Sequence, residues 1–184
     1  MVALDLRILV PWYKYPPFST TSIGGLSVSV WDTTRSLVRG GASVVVLCPS
    51  ENGKENDREV DGVRVVNNIV GTKIIKNRAL ERTDEKLFRD TDIIFSVNNF
   101  GARSLSNFRS KVVRQIHTVA HDRPLSTYLS LKPRLKDFPK MIVQKRREMS
   151  LEHTLTGVET VCVSQYNLLK MEDHNLESTE NLVR

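Results

Sequence analysis

Two histidines stand where chemistry is possible. His117 follows the apolar run KVVRQI and precedes Thr118, and His121 precedes Asp122 four residues later. An imidazole at the end of a buried strand can donate to a substrate hydroxyl or stabilise developing charge, and it titrates near neutrality. The same position also suits a purely structural histidine. Gly24-Gly25 opens a helical pattern, so bare backbone N–H groups at its start could meet a phosphate. A tight loop-to-helix turn would use the same glycines. Asn98-Asn99 follows DIIFSV, and Ser164 follows TVCV as a helix N-cap.

Other chemistries lack their residues. There is no GxGxxG dinucleotide fingerprint and no GxxxxGK[ST] phosphate loop. Four scattered histidines and two cysteines have no metal-ligand spacing, and no Ser/His/Asp set is recognisable. Cys48 and Cys162 each sit in an apolar run, as buried free thiols do. His153 and His174 fall on helical patterns as surface residues.

The elements that must carry these residues alternate. Arg7–Val10 reads as a first strand and 25–39 as an amphipathic helix with Leu26, Val30, Thr33 and Leu37 on its apolar face. Gly40-Gly41 stops that helix, and Ser43–Leu47 is a β-branched strand suited to burial on both faces. Residues 51–62 are charged and turn-rich, ending in the Asp61-Gly62 turn. Strands follow at Val63–Asn67, Asp92–Val97, Lys111–Ile116 and Thr160–Val163. Helices are expected near 80–89, over Ala102–Phe108, over 138–156 with Gly157 as the stop, and over 165–173. Residues 11–22 and 121–139 read as irregular loops. This alternation predicts an α/β, Rossmann-like three-layer domain with a mainly parallel sheet. Loops after the strands then converge on one sheet edge, where ligands bind in such folds.

The 184 residues fit one domain, 1–184, large enough to bury its own core. Apolar residues at 40 % and charged residues at 26 % exclude disorder, collagen and coiled coil, and no apolar run reaches the ~18 residues of a membrane span. The N-terminus, MVALDLRILVPWY, is no signal peptide, which predicts a cytoplasmic protein. The net charge of +6 is local. Residues 132–147 hold seven basic side chains (Lys132, Arg134, Lys136, Lys140, Lys145, Arg146, Arg147) and one acid, Asp137, leaving 20 of each sign elsewhere. Interleaved Leu135, Phe138, Met141 and Ile142 suit an anionic membrane surface, which would make the protein peripheral to the membrane. A solvated helix face is the simpler account. No nucleic-acid module is present.

Taken in order, several segments resemble the N-terminal domain of GT-B glycosyltransferases, the retaining family 4 in particular. They are RILV with its Pro/aromatic loop, GGLSVSVWDTTRSLVRGGASVVVLCP, EVDGVRVV with its Asp-Gly hairpin, DIIFSVNNFG, RQIHTVAHD and ETVCVSQYNLLKMED. Phe95 departs from the pattern, standing where many members carry a histidine. His117 matches the family's His-Thr loop better than His121, although either could be the equivalent. The resemblance implies the acceptor-side half of an enzyme that moves a sugar from a nucleotide-sugar donor to an acceptor hydroxyl. His117 would be catalytic, and Gly24, Gly25, Asn98, Thr118 and His121 would bind substrate. It implies no cofactor beyond the nucleotide-sugar. A second, donor-binding half, expected in the same or another chain, would complete the site. The Trp12–Phe18 loop and residues 121–139 would shape the acceptor pocket. The competing expectation is a non-catalytic Rossmann-like subunit that docks on a membrane or a partner chain.

Overall fold

A computed structural model describes residues 6–12, 25–49, 56–68, 85–98, 102–117, 138–162 and 169. In chain order the elements are β1 (Arg7–Pro11), α1 (Gly25–Arg39), β2 (Ser43–Pro49), β3 (Asn56–Val60), β4 (Val63–Asn68), α2 (Glu85–Arg89), β5 (Ile93–Val97), α3 (Ala102–Leu105), a 3₁₀ turn (Ser106–Lys111), β6 (Val112–Ile116), α4 (Phe138–Thr154) and β7 (Glu159–Cys162). The strands form one sheet in the order β3-β4-β2-β1-β5-β6-β7. Every neighbouring pair is parallel except β3 with β4.

Alternation along the central strands explains their continuous apolarity. Ile8, Val10, Val44, Val46, Val63 and Val65 point to one face, where Val30 and Trp31 of α1 cover them. Leu9, Leu47, Ile94 and Val112 point to the other, against Phe88 of α2, Ala102 and Leu105 of α3, and Leu151 of α4. A strand covered on both sides has no polar face to show. The layers are therefore helix, sheet and helix, a Rossmann-like α/β arrangement.

Two details differ from the sequence-based expectation. The face of α1 is rotated by about one residue. Ser27, Val30, Trp31 and Thr34 are its buried positions, whereas Leu26, Thr33 and Leu37 are half-buried. Thr34 is tolerated there because its hydroxyl donates to the Val30 carbonyl at 2.7 Å, so no polar group is left unsatisfied. Second, β3 lies inside the segment expected to be turn. It pairs antiparallel with β4 on the sheet edge, where charged Asp57, Arg58 and Glu59 are tolerable. As expected, the basic segment's helix α4 begins at Phe138, with Pro139 in its first turn, where a missing N–H costs nothing. Gly157 follows α4 at φ 77°, the left-handed conformation that glycine adopts without penalty. The free cysteines Cys48 and Cys162 are both buried, as their apolar runs predict.

Candidate functional site

The chain builds outward from β1 to β2 and β4, then returns to lay β5 on the other side of β1 and continues to β6 and β7. The reversal lies between β1 and β5. At such a switch point the connections leave in opposite directions and open a crevice beyond the carboxyl ends of the strands. Trp12 leaves β1 at that edge and Asn98 leaves β5. His117 leaves β6 one strand further on. Helix α1 runs back from the same edge into β2, so Gly25 at its first turn is there too.

Asn98 and His117 are joined directly. The Asn98 N–H donates to the Gln115 carbonyl at 2.7 Å, which extends the β5–β6 pairing by one residue. The backbone then turns left-handed, with Asn98 at φ 54°. Asparagine is one of the few side chains that accept this region. Its Oδ1 accepts the backbone N–H of His117 at 2.9 Å. The side chain of one strand end thus caps the backbone of the next and fixes where the imidazole begins. Burial holds the half-buried His117 below the usual histidine pKa. A neutral imidazole can both donate and accept a hydrogen bond at pH 7.

The structure brings His117, Asn98 and Gly25 to one edge. Gly24, Thr118, His121 and Ser164 lie outside the described residues, as do 13–18 and 121–137. Trp12, expected as part of an acceptor-shaping loop, is instead core. It is 2 % exposed, clusters with Val30, Trp31 and Val97, and donates its backbone N–H to the Leu47 carbonyl at 2.7 Å. Phe95 packs against the same cluster, a role an ionisable imidazole would fill poorly. Among the described residues no group of His, Cys, Asp and Glu could hold a metal ion.

Sequence reasoning missed the polar pair beneath this edge. Arg114 of β6 and Glu152 of α4 are 0 % and 1 % exposed. Arg114 donates through Nη1 to the Glu152 carbonyl oxygen at 3.3 Å and through Nε to Thr160 Oγ1 at 3.4 Å. Desolvation lowers the guanidinium pKa to about 10, while the Glu152 charge works in the opposite direction. The signal was an arginine at the centre of VVRQI, a run whose alternate positions are all buried.

Comparison with known proteins follows the same lines. The model of Glycosyltransferase Family 4 matches residues 23–175. The solved sucrose-phosphate synthase from Thermosynechococcus elongatus superposes with a TM-score of 0.63 at 11 % identity, over 98 % of this chain and 47 % of that one. This chain therefore spans about half the length of that structure. No curated protein matches by sequence.

Proposed function

The chain belongs to glycosyltransferase family 4, and on that footing we propose that it forms the acceptor-side wall of a cleft in which a sugar passes, with retention, from a nucleotide-sugar to an acceptor hydroxyl. The observation that carries this reading is the Asn98–His117 junction at the switch-point edge, beside the start of α1. The donor, rather than a separate cofactor, brings the phosphate. The positive end of α1, which opens at Gly25 with Gly24 before it in sequence, suits the developing charge on the leaving diphosphate. His117, neutral and held by Asn98, suits hydrogen bonding to the reacting sugar. Positioning and charge stabilisation supply the acceleration. Thr118 and His121, one and four residues beyond His117 in sequence, would bind substrate. A donor-binding half, in the same or another chain, completes the site, and the reaction is cytoplasmic.

Two measurements test this. In the assembly that holds both halves, His117→Ala lowers turnover by more than tenfold with little change in folding, since such groups are typically worth ~10²–10⁴-fold. A silent His117→Ala beside a crippling His121→Ala would reassign the role. The 184-residue chain alone binds nucleotide-sugars weakly, near millimolar or ~4 kcal/mol, and transfers no sugar. Tight binding or transfer by the lone chain would overturn its assignment as half of a site.

A further inference from the structure

Helix α4 leaves the site edge with an outer surface that nothing among the described residues covers. Phe138, Ile142 and Arg146 form one row along it, and Pro139, Val143 and Arg147 the next, because residues four apart stack on a helix. All six are exposed, as is Lys140 beside them. Of the five large hydrophobic residues exposed among the described positions, three are here: Phe138 at 49 %, Ile142 at 39 % and Val143 at 67 %. The inner side is already used, with Met141, Leu151 and Glu152 buried. The acids of this helix turn the same way. Glu148 is half-buried and Glu152 buried, so among the described residues no acid of this helix lies on its exposed basic face.

We propose that this face docks the domain on an anionic lipid bilayer, with Phe138, Ile142 and Val143 entering the headgroup region and Lys140, Arg146 and Arg147 meeting lipid phosphates. The order along the helix fits that occupant. The apolar residues lie in the first two turns, nearest the site edge, and the two arginines follow four residues later, about 6 Å further along the axis. An interfacial helix sinks its apolar residues by ~5–10 Å and keeps its cations at headgroup level. An acidic polypeptide would use the cations but leave Ile142 and Val143 in water. A nucleic acid would do the same, and this surface offers it no groove-reading element. The sequence strengthens the match, because the excess positive charge of the whole chain is confined to 132–147. Lys145, within that run, is half-buried and sits toward the inner side, so it is not counted in the docking face. Docking this way brings the Asn98–His117 edge to the bilayer surface, and it does not depend on the glycosyl-transfer reading.

The test is co-sedimentation of the 184-residue chain with vesicles of phosphatidylcholine alone or equimolar with phosphatidylglycerol, at low and high salt. Two variants accompany it, K140Q/R146Q/R147Q and I142S/V143S. All five positions are exposed, and matching circular dichroism and thermal midpoints check that the folds are equal. The expected result is binding to the anionic vesicles only, weakened at least about tenfold by high salt and by either variant. Equal binding to neutral vesicles, no binding to either, or full binding by the charge variant would overturn the proposal. So would an unaffected I142S/V143S, which would mark a surface for acidic polymers instead of lipid.

Discussion

At Arg114 a guanidinium with no exposed surface lies between β6, α4 and β7, and its Nη2 has no partner among the described residues. Burying a charge is costly, so this arginine depends on the Glu152 carboxylate nearby. Glu152→Gln preserves shape and removes that charge. The expected loss is about 3 kcal/mol, measured by chemical denaturation. Adding Arg114→Met should recover most of it, because no unpaired charge then remains. Recovery failing in the double variant would mean that packing, not charge, is what Glu152 supplies. His117 gives a second prediction at this scale. Its imidazole is held below the ordinary value of about 6.5 by burial. A proton is then bound more readily by the unfolded chain. The contribution to stability is complete above about pH 6.5 and is lost as pH falls through the folded value. NMR titration should give a midpoint below 6.5, and His117→Gln should flatten the stability profile in that window.

Among the elements, the β3–β4 hairpin rests on two residues. Asp61 at φ 52° and Gly62 at φ 78° are both left-handed, as a type I′ turn requires. The hairpin also touches α1. A Cβ on Gly62 would lie 3.0 Å from Val38 Cγ1. Gly62→Ala should therefore cost about 1–2 kcal/mol, seen as a lower thermal midpoint. Asp61→Asn should be nearly silent, since asparagine accepts the same backbone and the exposed Asp61–Arg35 ion pair contributes little. A neutral Gly62→Ala would mean that α1 and the hairpin can separate without loss.

Across the whole molecule, both cysteines report on cooperativity. Cys48 belongs to the α1-side core, and burial pushes its thiol up to about 12. Cys162 ends β7 and is 8 % exposed. The thiolate is the reactive form, so neither should react with a disulfide reagent at neutral pH while the sheet is closed. Labelling should accelerate for both together as denaturant crosses the unfolding midpoint. Fast labelling of Cys48 in the native protein would show that the α1 layer opens on its own.

How much was legible in the sequence follows from range. SVVVLC and DIIFSV could be read as buried strands, and 25–39 and 138–156 as helices, because burial on two faces or one leaves its period in neighbouring residues. Gly157 and Asp61-Gly62 could be read as stops and turns because their backbone angles are local properties. The positive segment was visible as a count. What the sequence could not decide depends on partners distant along the chain. Trp12 reads as loop until Val97 and Trp31 close over it. The rotation of α1 depends on Thr34 satisfying its own hydroxyl against a packed sheet. Asn98 reads from the sequence as a substrate-binding residue after a strand, and only the pairing of β5 with β6 carries its amide to the His117 backbone, 19 positions away. Local periodicity reports whether a residue faces inward. Which side chain it then meets is set by the order of strands in the sheet, and that order is decided only when the whole domain packs.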